Sequence, residues 1–117
     1  MANPFVHLEL NTPDLSKGKA FYGALFGWQF HDMDMGAHGI YSTFKTDEGP
    51  GGGMVSMPSG HPGWLTYVGV EDIQQATDKA RSLGATVHMG PQEIPNIGWM
   101  TIFQDPTGCT IAIFQPK

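Results

Sequence analysis

His7 and Glu9 are the two residues of this sequence whose types and spacing could best do chemistry together. They stand two apart in Phe5–Asn11, where Val6, Leu8 and Leu10 alternate with them. A period of two marks a strand, with its apolar side chains on one face and the imidazole and carboxylate on the other. A histidine with a carboxylate beside it can serve as a base and its partner. The plain alternative is two half-exposed side chains on a sheet face. His31, His38 and His61 show no spacing that would make a ligand set, and solvated side chains are expected there. The single cysteine, Cys109, follows Gly108 at the start of a strand with no histidine next to it in sequence. It reads as a small buried filler rather than a nucleophile. Gly49–Pro50–Gly51–Gly52–Gly53 lacks the Lys-Ser/Thr of a phosphate loop and opens no helix. It reads as a mobile loop able to cover a cleft.

The elements that would position these residues recur in one order. After the first strand, Thr12 as cap, Pro13 as first helical residue and Asp14 near the positive end of the dipole predict a helix. Leu15, Tyr22, Leu25 and Phe26 form its apolar stripe, and Gly27 ends it. Gly18 and Gly23 weaken this helix, so packing must hold it. Strands are expected at Trp28–Asp34, Ile40–Lys45 and Met54–Met57, then a linker at 58–63. The pattern repeats with a strand at Trp64–Val70 and a helix opened by Asp72 and Gln75, spaced like a capping box. Ile73, Ala76, Thr77, Ala80 and Leu83 supply its helical spacing, and Gly84 its stop. Strands at Thr86–Met89, Trp99–Phe103 and Thr110–Phe114 follow, the last two joined by the turn Asp105–Gly108. The chain thus reads as one α+β domain, 1–117, of two βαβββ modules, 1–57 and 64–117. The repeat, of ~55 residues, lies in the order of elements and not in residue identity. A helix on one face of each sheet leaves the other face free for a cleft.

Composition bounds the rest. A chain of 117 residues with 40% apolar and 15% charged residues can bury roughly two-thirds of its unfolded surface. The net charge of −5, with only six scattered Lys and Arg, excludes a nucleic-acid module. One cysteine excludes an internal disulfide and suits a reducing compartment. No apolar run approaches the ~20 residues of a membrane span. Met1–Pro4 has no basic-then-apolar signal, so a cytoplasmic location is expected.

Several segments carry a likeness together: the opening strand with Asp14–Leu15, then Ala20–Phe21–Tyr22, Leu25–Phe26–Gly27–Trp28, Val70–Glu71–Asp72–Ile73, Leu83–Gly84–Ala85, Asp105–Pro106–Thr107–Gly108, Ile111 and Phe114–Gln115–Pro116. With them the chain resembles the vicinal-oxygen-chelate superfamily, which holds glyoxalase, extradiol dioxygenases, methylmalonyl-CoA epimerase and antibiotic-resistance proteins. The resemblance covers essentially the whole chain and implies two βαβββ modules in a curved mixed sheet, a helix on each outer face, and a homodimer. Metal-dependent members bind two adjacent substrate oxygens to a divalent ion with open positions. Their four ligand positions map here onto His7, the stretch Gly53–Val55, Leu65 (or Trp64) and Ala112. Only His7 is a donor, so no metal and no other cofactor is expected.

Strand parity puts Leu65 and Tyr67, with Thr110, Ala112 and Phe114, on the face that His7 and Glu9 share, and Trp99 near it. Such a lining is apolar and aromatic with few polar groups, as ligand sites usually are. The expected function is binding of a small aromatic or cationic molecule without the usual metal. The alternatives are a glyoxalase-like lyase or isomerase, using a displaced metal or His7/Glu9 acid–base chemistry, and an interaction module with a vestigial cleft.

Overall fold

The computed structural model describes residues 3–36, 39–56 and 62–117. Elements run β1 Phe5–Thr12, α1 Leu15–Phe26, β2 His31–Asp34, β3 Ile40–Phe44, β4 Gly52–Ser56, β5 Gly63–Gly69, α2 Ile73–Ser82, β6 Thr86–Ile94, β7 Gly98–Gln104 and β8 Thr110–Pro116. This is an α+β chain of two βαβββ modules, as the order of signals predicts. The expected linker 58–63 lies mostly outside the described residues, as do His38 and His61. Among the described residues no helix is long and apolar enough to cross a membrane.

Two compact units divide the chain, one of residues 7–65 and one of residues 1–6 with 66–117. In the first, β1 runs parallel to β4, β4 antiparallel to β3, and β3 antiparallel to β2. The pattern returns in the second: β5 runs parallel to β8, β8 antiparallel to β7, and β7 antiparallel to β6. In each unit the last strand in sequence lies beside the first, which is the pairing a helical crossover permits.

In the first unit α1 covers the face carrying Leu10 and Met54, buried to 8% and 0% exposure. Gly18 brings the helix down onto them: a Cβ there would stand 2.9 Å from the Met54 sulfur. The helix starts two residues later than its signals suggest. Thr12 is still paired to Ser56 in the sheet, so Asp14 becomes the cap, its carboxylate accepting from the Lys17 N–H at 3.0 Å. Gly27 closes α1 in the left-handed conformation at φ 74°. Trp28 does not enter a strand, because its ring stacks on Phe44 at 4.4 Å and holds the chain beneath the helix until His31.

In the second unit Ile73 of α2 packs with Val70 and Ile113, and Ala76 of the same helix, Val68, Trp99 and Phe103 pack against them. Asp72 caps it through the Gln75 N–H at 3.0 Å, as expected. The Gln115 side chain accepts from the Ile73 N–H at 2.8 Å. Thr77 and Thr101, both fully buried, bond to each other at 2.9 Å, and Thr77 also donates to the Ile73 carbonyl. β6 runs past Met89 to Ile94, since pairing with β7 resumes after register shifts around Gly90 and Pro91.

Candidate functional site

On the face of the first unit away from α1, the phenol of Tyr41 joins His7 to Glu9. His7 Nε2 lies 2.6 Å from the Tyr41 hydroxyl, which donates to Glu9 Oε1 at 3.0 Å. Asn11 Nδ2 donates to the second carboxylate oxygen at 3.4 Å. His7, Glu9 and Asn11 share this face by the alternation of β1. Tyr41 reaches them from β3 across β4. Its backbone partner is Val55, while Glu9 and Thr43 both pair with Gly53. The ring therefore crosses diagonally over position 53.

Gly53 makes that crossing possible. A Cβ built there would sit 2.2 Å from the ring carbons and hydroxyl of Tyr41, far inside contact distance. Glycine in a strand interior marks such a close approach. Gly52 and Gly53 are thus buried members of β4, and the expected loop from Gly49 to Gly53 ends at Gly51. The sheet recruits them because their missing side chains admit Phe44 on one face and Tyr41 on the other.

With Glu9 ionised, the phenol donates to Oε1, and its oxygen can accept from His7 in the tautomer that carries its proton on Nε2. The nitrogen facing the centre of the trio then has no lone pair to offer. Burial holds the His7 pKa below its ordinary 6.5, because desolvation disfavours the imidazolium. All three side chains are half-buried.

The remaining expected site residues divide between the units. Leu65, in the first, is buried at 8%. In the second, Tyr67 pairs with Ala112, and Phe114 with Met100, on the face opposite Ile113 and α2. Tyr67 and Ala112 are buried at 5% and 0%, and Thr110 on the same strand face is exposed. Trp99 departs from the expectation. It packs under α2 against Val70, Ile73 and Ile113, with the Lys117 ammonium 5.1 Å over its ring. Its parity on β7 is that of Thr101, which bonds to Thr77 on α2, so it takes no part in this face. Cys109 is exposed and not a buried filler, because it closes the Asp105 turn: its N–H bonds the Asp105 carboxylate at 3.1 Å, outside the sheet. Reasoning from sequence missed Tyr41, Gly53 and Asn11. Parity on β1 could have found Asn11. Tyr41 needed the β3–β4 register, and the glycine run was the one clue to it.

A divalent ion does not fit these residues. Position 53 has no donor and is covered by an aromatic ring. Met54 faces α1, Val55 is apolar, and Leu65 and Ala112 carry hydrocarbon side chains. Among the described residues no group of three or more His, Cys, Asp or Glu stands close enough to hold an ion. A resident catalytic ion needs about three protein ligands.

Comparison with known proteins defines the class. The model of the Glyoxalase/Bleomycin resistance protein/Dioxygenase superfamily matches residues 5–113, and the chain belongs to that family. In sequence it is similar to a Mycobacterium tuberculosis protein named "Putative glyoxylase CFP32", 33% identical over 92% of this chain and 44% of that protein. It is also similar to the anthracycline biosynthesis protein DnrV of Streptomyces peucetius, 27% identical over 92% of this chain and 45% of that protein. The chain therefore spans under half the length of these curated relatives. In structure it resembles the hypothetical protein BH1468 from Bacillus halodurans, with a TM-score of 0.77 at 12% identity, covering 100% of this chain and 96% of that one. Methylmalonyl-CoA epimerase from Mycobacterium tuberculosis follows at 0.75 and 14%, covering 97% and 88%. At such identities the likeness is one of fold alone.

Proposed function

We propose that this domain binds a small aromatic or cationic molecule on the sheet face carrying His7, Tyr41 and Glu9, and does so without a resident metal. The observation that carries the reading is the phenol seated between the imidazole and the carboxylate. A carboxylate beside an aromatic face attracts a cation, and the hydroxyl and Asn11 give hydrogen bonds that orient it. The net charge of −5 favours a cationic ligand over an anionic one.

A second reading has one observation in its favour. An imidazole, a phenol and a carboxylate in one hydrogen-bonded chain form a path along which a proton can move, and that is the equipment of a glyoxalase-like lyase or isomerase. A second copy of the chain is the proposed partner, in the cytoplasm. Phe21, Leu25 and Phe26 of α1 are each more than half exposed, an apolar stripe that a dimer would cover.

Thermal shift against a panel of cationic and neutral aromatics, with and without Ni²⁺, tests the reading. The expected result is stabilisation by a cationic aromatic, unchanged by the metal and lost in Glu9→Gln. Stabilisation by Ni²⁺ that depends on His7 would overturn it.

A further inference from the structure

We infer that Tyr41 keeps divalent cations away from His7 and Glu9, and that Gly53 is the residue that lets it do so. This rests on the metal-free reading above and supplies its cause. His7 and Glu9 are donors that could share an ion. The Tyr41 oxygen lies between them, 2.6 Å from Nε2 and 3.0 Å from Oε1. An ion would have to stand in the same place, about 2.0–2.2 Å from each donor. The phenol thus occupies the position an ion would take.

It also biases the proton the wrong way. While it donates to Glu9, the phenol can only accept from His7, which favours the tautomer with no lone pair on Nε2. The phenol in turn gives its own proton to the carboxylate, which uses one of the oxygen sites an ion would need.

Position 53 controls the arrangement. Glu9 and Gly53 are cross-strand partners in the parallel β1–β4 pair, so a side chain at 53 would emerge beside the carboxylate. A donor there would complete a third ligand. It would also displace Tyr41, since even a methyl group meets the ring at 2.2 Å. One position therefore decides both whether a third donor exists and whether the phenol lies across the other two.

The test is Ni²⁺ binding by isothermal titration calorimetry near pH 7.5, with circular dichroism to follow the fold. The Tyr41→Ala/Gly53→Glu double variant is expected to bind Ni²⁺ at least tenfold more tightly than the wild-type chain, and to lose the gain when His7→Ala is added. A folded double variant with no gain, or a gain that survives without His7, overturns the inference. Should the double variant not fold, two single changes decide it by the imidazole nitrogen NMR signals of His7. Tyr41→Phe keeps the ring and removes the hydroxyl, and Gly53→Ala pushes the ring away. Both are expected to shift the Nε2 signal in the same direction. A wild-type signal in Gly53→Ala overturns the inference. Tight, His7-dependent Ni²⁺ binding by the wild-type chain would instead sink the metal-free reading itself, so the two failures are distinct.

Discussion

His7 is a half-buried base whose surroundings disfavour its charged form, and its titration has a sign that can be measured. Its folded pKa lies below the ordinary 6.5 because of desolvation. As pH falls past 6.5 the unfolded chain takes up the proton first, so stability drops with pH until the folded pKa is passed. The contribution is fully present above the unfolded value and is lost between the two. Urea unfolding at pH 7.5 and 5.5 should show wild type losing more stability than His7→Asn over that step. Equal losses would mean the imidazole is as well solvated folded as unfolded. Asp32 shifts in the same direction, downward, but acts in a more acid window. Its hydrogen bond from Ser42, then that from Lys19, hold its carboxyl below the usual carboxylate value, so its contribution stands at pH 7 and fades only in acid below about 3.8. The two residues thus act in separate pH windows.

At the scale of elements, the helices have equivalent caps on unequal foundations. Asp14 and Asp72 each accept a backbone N–H at 3.0 Å. Replacing either with Ala should cost about 1 kcal/mol, read by chemical denaturation. Their local effects should differ. α1 has no fully buried residue and contains two glycines, whereas α2 buries Ile73 and Thr77 and has the Gln115 side chain on its first amide. Asp14→Ala should therefore speed amide hydrogen exchange throughout α1, while Asp72→Ala should leave the middle of α2 protected. Similar fraying in both helices would refute this. The same contrast marks what the sequence made legible. Caps, stops and two-residue alternation are local signals, and they located both helices, the face of His7 and Glu9, and the repeat. The cap at Asp14, the burial of Gly52 and Gly53, the side taken by Trp99 and the role of Tyr41 are set by which strand lies next to which. Pairing register is not written in any short window of residues.

At the scale of the molecule, the two units repeat one plan of pairing, yet they do not divide the chain at its middle. Residues 1–6 group with 66–117. Asn3 donates to the Gly69 carbonyl at 2.9 Å, and the Gly69 N–H donates to the Pro4 carbonyl at 2.8 Å. The opening residues thus act as a clasp on a part of the chain more than sixty positions away. A purification tag that pulls on them, or a protease that trims them, would be felt at the end of β5 before it was felt in the helix that follows them in sequence.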